Sequence, residues 1–221
     1  MTRVYICCEG QTEEMFVREV LRQYISLNAD VYAVPIVLET KHTLHKKYRG
    51  GLLRYKKAKA EISRLCAGHP NEYVTTMVDF YAFPKDAPGM DKKQEIVDVY
   101  KKVEYVEAEI AKDIGHRNFI PNLMLHEFES LLFVEPDLLK QYYQHDDSIE
   151  MLCRVRDSFE TPEHIDDGKD TAPSKRIIAA IPEYDKIVAG SLVSMDTSID
   201  RIREECRHFS EWVDKLCSLG I

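Results

Sequence analysis

The stretch Val4-Tyr-Ile-Cys-Cys-Glu-Gly-Gln-Thr-Glu13 decides the fold, because an apolar strand pattern runs directly into an amphipathic helix pattern. The run from Val4 to Cys8 predicts a buried strand, and the apolar spacing after it predicts a helix over 13–27. Glu9 ends the strand and Glu13 lies in the first helical turn. Two carboxylates held in this way can bind a divalent metal. The sequence therefore predicts an enzyme whose chemistry begins at this turn.

Similar strand and helix patterns alternate over the first half of the chain. Strands are predicted at 3–8, 31–38, 72–80 and 118–125, and helices at 13–27, 52–66 and 93–113. Strands that alternate with helices predict βαβ units, which form a mainly parallel sheet of about four strands with helices on both faces. Pro35 and Pro121 favour edge positions for the second and fourth strands. We expect the first and third strands at the centre of the sheet.

The strand pattern stops near residue 130, and five short helices are predicted at 136–145, 148–158, 173–181, 191–206 and 208–219. We therefore expect an α/β core over 1–135, which includes a basic segment at 41–64. Residues 136–221 are predicted to form a helical C-terminal subdomain packed on that core.

Composition limits the kind of protein this can be. A chain of 221 residues with 44% hydrophobic residues can bury one full core. The first residues lack a signal-peptide pattern, and no apolar run reaches about 18 residues, so we expect a soluble, cytoplasmic protein without a membrane partner. Six scattered cysteines without a C-x-x-C pair predict reduced thiols rather than a zinc site or a disulfide framework.

Charge is distributed unevenly along the chain. The net charge is −8, but the segment from Lys41 to Arg64 has nine basic residues and one acid, whereas the rest has 21 basic and 37 acidic residues. A basic arm on an acidic body can bind a nucleic-acid backbone without sequence specificity. A solvated helix face explains the same pattern more simply. The candidate phosphate contacts are Lys46, Lys47, Arg49, Arg54, Lys56 and Lys57.

Acids also follow the other predicted strands. Asp79 ends the third strand, and Glu127 and Glu129 follow the fourth. Ligands of open parallel sheets bind outside the carboxyl ends of the strands, so these acids should converge with Glu9. Clustered carboxylates favour Mg²⁺ or Mn²⁺ over zinc. We expect the metal ligands to be Glu9, Glu13, Asp79 and Glu127.

Each of these acids also has a structural explanation. Glu13 and Glu14 follow Thr12 as in a capped helix start, where acids interact favourably with the helix dipole. That explanation does not extend to Glu9 at the end of a buried strand, where an unpaired carboxylate is costly. Glu127 and Glu129 are two residues apart at a strand end, so only one should face the metal, and we favour Glu127.

Three further residues are candidates for roles around the metal. His126 could act as a general base or orient a ligand, although a structural histidine is the simpler interpretation. Pro173 suits the first position of a helix, which places Lys175 and Arg176 in a first turn where cations oppose the dipole. Lys175 could stabilise charge on a phosphate, with Arg176 behind it. Two exposed cations near acids remain an equal alternative.

These motifs resemble a TOPRIM-like family of bacterial proteins of unknown function, related to the nuclease domains of OLD (overcoming lysogenization defect) proteins. The resemblance spans nearly the whole chain and rests on Glu9-Gly-x-Thr-Glu13, Met77-Val-Asp-Phe-Tyr81, His126-Glu-Phe-Glu-Ser-Leu-Leu-Phe133, Ala172-Pro-Ser-Lys-Arg-Ile177 and the tail from Tyr184-Asp-Lys to Trp212. It implies a metal-dependent phosphodiesterase fold. Glu9 and Glu13 would form the first acidic motif, Asp79 would begin the second, and Lys175 would be the late, charge-stabilising lysine. It also implies a separate ATPase partner and a place in phage-defence or mobile-element loci.

One position departs from the family pattern. TOPRIM enzymes usually carry Asp-x-Asp in the second motif, whereas this sequence has Tyr81 in place of the second aspartate. A tyrosine is not an anionic ligand near neutral pH, because its ordinary pKa is about 10. Glu127 or Glu129 could supply the missing ligand, with Asp86 or Asp91. Single-metal chemistry and a degenerate site stay open.

Three functions remain to be separated. The first is a Mg²⁺- or Mn²⁺-dependent nuclease with Glu9, Asp79 and Lys175 as its catalytic residues. The second is a binding or regulatory subunit of an ATPase, which would be a separate protein because this sequence has no Gly-x-x-x-x-Gly-Lys-Ser/Thr loop. The third is a small-molecule phosphatase or phosphotransferase with Asp79 as nucleophile. The sequence leaves open whether the chain forms a homodimer.

Overall fold

A parallel five-stranded sheet forms the centre of the computed structural model, which describes residues 1–38, 54–81, 83–165, 168, 170–187 and 196–220. Its strands are β1 (Thr2–Cys8), β2 (Val31–Val37), β3 (Tyr73–Asp79), β4 (Phe119–Ile120) and β5 (Leu123–Met124). The order is β2-β1-β3-β4, and β5 pairs with β3 beyond β4; every pairing is parallel. The predicted α/β class is confirmed, as are the central positions of β1 and β3 and the outer position of β2.

The predicted strand 118–125 is interrupted at Pro121, so the sheet has five strands rather than about four. Proline lacks the N–H that the ladder needs, and pairing with β3 stops after Ile120 and resumes at Leu123. Side chains replace the missing ladder bonds. Asn122 donates its side-chain amide to the Thr76 carbonyl at 3.0 Å, and the Asn122 N–H donates to the Thr76 hydroxyl at 3.1 Å. The register on β3 therefore continues unchanged into β5.

Helices cover both faces of the sheet. They are α1 (Gln11–Phe16), a π-helical turn (Val17–Leu21), α2 (Arg22–Asn28), α3 (Tyr55–Gly68) and α4 (Val99–Ile114). Alternation along β1 places Ile6 and Cys8 in a hydrophobic cluster with α1 and α2, and Tyr5 and Cys7 in another with α3 and α4. The helix predicted from residue 93 begins later, because the Asp98 carboxylate caps it by accepting from Lys101 N at 2.9 Å.

The remaining elements are short. They comprise 3₁₀ turns at Lys93–Glu95, Phe128–Phe133, Pro136–Gln141, Pro162–His164 and Ser218–Gly220, and the helices α5 (Asp146–Asp157), α6 (Pro173–Ala180), α7 (Ile199–Glu205) and α8 (Arg207–Cys217). Residues between 132 and 181 form a hydrophobic cluster of their own, whereas α7 and α8 pack into the same cluster as β1. The division after residue 135 stays a prediction. None of the described helices is both long and apolar enough to cross a membrane.

The strand order creates a crevice at one point of the sheet. The chain leaves β1 towards β2 on one side, and it leaves β3 towards β4 on the other. Between two such strands the connections diverge, which leaves room for a ligand outside their carboxyl ends. Glu9 directly follows β1, and Asp79 is the last residue of β3. The topology therefore brings the first two predicted acids to the same crevice.

Candidate functional site

The turn after β1 presents two carboxylates to the crevice. Gly10, in extended conformation, precedes the first residue of α1, and no side chain caps this helix. The interpretation of Thr12 as an N-cap is therefore wrong, since Thr12 lies inside the helix. A Cβ on Gly10 would lie 3.3 Å from Glu13 Oε2, so glycine leaves room for that carboxylate. Glu13 is 2% exposed, whereas Glu14 turns outward and pairs with Arg18 at 2.7 Å.

Asp79 is tied to the neighbouring chain segments on both sides. Its N–H donates to Glu9 Oε2 at 3.1 Å, and its Oδ1 accepts from Phe128 N at 2.8 Å. Asp79 itself is 7% exposed. These two bonds join the ends of β1 and β3 to the segment after β5. One oxygen of Asp79 therefore remains for another partner.

The segment after β5 carries two glutamates whose side chains point in different directions. His126 has φ 66°, a left-handed conformation uncommon for a residue other than glycine, and its carbonyl accepts from Tyr81 N at 2.8 Å. Beyond this bend, Glu127 accepts from Ser174 N at 2.9 Å and from Ser174 Oγ at 3.1 Å, which caps α6. Glu129 is fully buried and lies with the other acids. The left-handed conformation of His126 supports the structural interpretation of this residue, because the bend sets the directions of the Glu127 and Glu129 side chains.

A lysine that the sequence analysis did not single out lies among the acids. Lys186 Nζ is 3.1 Å from Glu129 Oε1, 3.7 Å from Glu13 Oε1 and 4.0 Å from Asp79 Oδ2. Its side chain is 43% exposed. The only sequence signal for it is its position in the quoted Tyr184-Asp-Lys stretch, because nothing in the local pattern places this irregular segment near β1. We call Glu9, Glu13, Asp79, Glu129 and Lys186 the acid cluster.

The charges in the acid cluster are only partly balanced. Burial and the nearby Glu13 raise the pKa of Glu9 to about 7, although the Asp79 N–H and Lys186 act in the opposite direction. Burial raises the pKa of Asp79 well above its ordinary value, despite Lys186. Burial lowers the pKa of Lys186, but Glu129, Asp79 and Glu13 outweigh it and hold that pKa well above the usual value. Four acids and one ammonium leave the site short of positive charge.

The fit of a divalent ion depends on the donors and on their spacing. Carboxylate oxygens are the ligands that Mg²⁺ and Mn²⁺ prefer, and the excess of negative charge favours a cation. Yet among the residues that the structure describes, no three Asp, Glu, His or Cys side chains are spaced to hold an ion. The chemistry of the donors thus fits a hard divalent ion, whereas their spacing fits the Lys186 ammonium.

The other residues predicted near the metal have different neighbours. In the described part of the chain, no carboxylate forms an ion pair with Lys175. Arg176 donates from Nε to the Thr171 carbonyl, and its guanidinium lies 5.7 Å from the centre of the Phe159 ring. Asp86 accepts from Tyr55 N at 3.4 Å, and Asp91 is exposed. The structure brings none of these four into the acid cluster.

The predicted nucleic-acid contacts are only partly within the described residues. Lys46, Lys47 and Arg49 lie outside them. Arg54 is exposed just before α3, and Lys56 and Lys57 are exposed in its first turn. Exposure is what a phosphate contact needs, but it also fits a solvated helix face. The role of these residues stays a prediction.

Comparisons with known proteins give a family and a similarity to one solved structure. The chain resembles a solved structure of the C-terminal region of the OLD protein of Xanthomonas campestris pv. campestris, at 15% identity over 97% of each chain and a TM-score of 0.42. No curated protein matches the chain. A family model described as "Domain of unknown function (DUF4276)" matches residues 8–217. Because the match covers nearly the whole chain, the protein belongs to this DUF4276 family.

Proposed function

We propose that the protein is a metal-dependent nuclease whose active site is the acid cluster. The observation that carries the proposal is the convergence of buried acids from three separate parts of the chain on the crevice between β1 and β3. Burying several carboxylates together is costly, and a fold tolerates that cost most readily where the charges bind a cation. Phosphodiester hydrolysis is the reaction that such carboxylate sites commonly serve.

Each residue of the acid cluster has a task in this proposal. Glu9, Glu13 and Asp79 would hold Mg²⁺ or Mn²⁺, and Glu129 is better placed than Glu127 as a fourth ligand because both Glu127 oxygens bond Ser174. The bound ion would activate water and neutralise charge on the scissile phosphate. Phe128 N keeps the Asp79 carboxylate in a fixed orientation.

A lysine near the acids would stabilise the charge that develops on the phosphate oxygens. The sequence favoured Lys175 for this task. The contacts favour Lys186, because its ammonium already lies within 4.0 Å of three acids. The exposed Arg54, Lys56 and Lys57 would hold the nucleic-acid backbone without reading its sequence. A separate ATPase partner and a role in phage defence belong to the same proposal.

One observation favours a second candidate, a binding or regulatory subunit without catalytic activity. Tyr81 stands where an aspartate would complete the second acidic motif, and Lys186 already provides a cation for three of the acids. A site neutralised in this way could be a structural remnant. The two candidates differ in their response to metal.

A cleavage assay tests the proposal. The purified protein is incubated with plasmid, linear and single-stranded DNA and with RNA, in Mg²⁺, Mn²⁺ or EDTA. We expect metal-dependent cleavage, which Glu9→Gln and Asp79→Asn should reduce at least about 100-fold, the scale of losing one stabilising group in a transition state. Glu14→Gln is the matched control, because Glu14 follows Glu13 on α1 but pairs with Arg18 outside the cluster.

Two results would contradict the nuclease. Binding of nucleic acid without cleavage, unchanged by EDTA, would favour the binding subunit. Release of phosphate from small esters without action on nucleic acid would instead favour a phosphatase.

A further inference from the structure

Lys186 differs from its three acidic partners in its access to water. The side chains of Glu13, Asp79 and Glu129 are 3%, 10% and 1% exposed, whereas that of Lys186 is 43% exposed. The acids lie on β3, on α1 and on the 3₁₀ turn at Phe128–Phe133, so the positions of their backbones are set by these elements. The lysine can move into solvent with a change of rotamers. The acids would then need another cation, because an uncompensated buried charge is strongly destabilising.

The oxygens that face Lys186 are those not used by backbone donors. Asp79 Oδ1 accepts from Phe128 N, and it is Asp79 Oδ2 that lies 4.0 Å from the ammonium. Glu9 Oε2 likewise accepts from Asp79 N. A divalent ion coordinated by these acids would need the same free oxygens, at about 2.0–2.1 Å for Mg²⁺. The ammonium and the ion therefore compete for the same lone pairs as well as for the same volume.

The segment that carries Lys186 lies outside the sheet and the helices. Residues 184–187 form no helix or strand, and the carbonyl of Lys186 accepts one long hydrogen bond, from the Thr12 hydroxyl at 3.5 Å. Asp185 N donates to the Tyr143 hydroxyl at 3.2 Å. These contacts fix the position of the segment but do not form a regular ladder. Displacing Lys186 would leave β1, β3 and the acids in place.

We infer that Lys186 is the internal counter-ion of the acid cluster and that a divalent cation binds by displacing its ammonium from Glu13, Asp79 and Glu129. The displaced ammonium remains beside the ion, where it can meet a phosphate oxygen of a bound substrate. The inference rests on the proposed metal-dependent function, and it adds an order of events. The lysine leaves the carboxylates when the metal arrives and is then free to bind the phosphate.

Metal binding without substrate tests the inference. Mn²⁺ is titrated into the full chain and followed by electron paramagnetic resonance and calorimetry, for the wild type and for Lys186→Met, Lys186→Arg and Lys175→Met. We expect Lys186→Met to bind Mn²⁺ about tenfold or more tightly than the wild type, which corresponds to about 1.4 kcal/mol. Lys186→Arg keeps the competing charge and should not gain affinity. Lys175→Met is the matched control and should bind as the wild type does.

A second measurement follows the metal response of the wild type, and a variant serves only to assign the signal. Lysines are reductively methylated with ¹³C, which preserves their charge, and the Lys186 signal is assigned by its absence in Lys186→Arg. Saturating Mg²⁺ should shift this signal, while the Lys175 signal stays unchanged. Equal or weaker Mn²⁺ binding by Lys186→Met, a stationary Lys186 signal at saturating metal, or no metal binding by any variant would overturn the inference.

The outcomes separate this inference from the nuclease proposal. Metal binding with displacement of Lys186 but without cleavage of any nucleic acid would leave the inference standing and refute the nuclease. Metal-dependent cleavage with a stationary Lys186 signal would support the nuclease and overturn the inference.

Discussion

Two regions of the molecule bury glutamates, and they compensate the charge in different ways. The acid cluster has four carboxylates and one partly exposed lysine, which faces three of them. The other region, which we call the buried polar layer, consists of Glu107, Glu163, His208, Thr75 and Trp212. Glu107 Oε1 accepts from Leu123 N at 2.7 Å and from His208 Nε2 at 2.9 Å. Every acid of the layer has local donors.

The hydrogen bonds of the buried polar layer indicate a structural role, because they join and cap elements of the fold. The two oxygens of Glu163 accept the N–H groups of His208 and Phe209, each at 3.0 Å, and so cap the start of α8. Trp212 donates from Nε1 to Thr75 Oγ1 at 2.9 Å, which fixes α8 to β3. Burial lowers the pKa of His208, but Glu107 raises it to a value above the ordinary one. Burial of an acid alone therefore does not mark a functional site. The acid cluster differs from the buried polar layer because a single ammonium faces three of its buried carboxylates.

The largest expected effect on stability comes from a substitution that breaks the buried polar layer. Glu107→Ala leaves the Leu123 N–H and the His208 side chain without their acceptor, and we expect a loss of about 3–5 kcal/mol in the free energy of unfolding. Urea denaturation followed by circular dichroism measures it. Glu104→Ala, at an exposed position of the same helix, should change it by less than about 0.5 kcal/mol. A loss below about 1 kcal/mol in Glu107→Ala would show that the two regions do not differ as described.

A pH dependence should distinguish the acid cluster. The pKa of Glu9 is raised from its ordinary 4.5 to about 7, so between these values the folded protein binds more protons than the unfolded chain. Stability must then fall as the pH rises from about 4.5 to 7, by up to about 3 kcal/mol from this group alone. Denaturation in EDTA should show that the advantage of Glu9→Gln over the wild type grows between pH 5 and pH 8. A difference that is constant with pH would contradict the charge imbalance.

The smallest expected effect concerns stability at Asp79. Asp79→Asn removes a charge that the site compensates poorly, while its remaining oxygen can still accept from Phe128 N. We expect the free energy of unfolding to stay within about 1 kcal/mol of the wild type or to rise, although the proposed metal binding would be lost. Asp79→Leu, which lacks the acceptor, should be clearly less stable, and thermal denaturation in EDTA compares the two. A large loss of stability in Asp79→Asn would place this residue with the structural acids.

Much of the fold follows from local patterns. The alternation of apolar strands with helical spacing predicts the parallel sheet, and the two prolines predict which strands lie outside. The predicted boundaries of strands and helices are less accurate where side-chain contacts decide where an element begins or ends. Asp98 delays the start of α4, and Pro121 divides the last strand although Asn122 restores its register. These effects depend on contacts with residues that a local pattern does not include.

The sequence by itself determined the class of the fold and the meeting of Glu9 with Asp79, because parallel strands bring their carboxyl ends to one edge of the sheet. Only the tertiary structure decided which later side chains join them. Glu129 enters the acid cluster and Glu127 caps α6, since the bend at His126 aims them in different directions. Lys186 reaches the same acids from an irregular segment far along the chain. Its position depends on long-range packing, which leaves no periodic signal in the sequence.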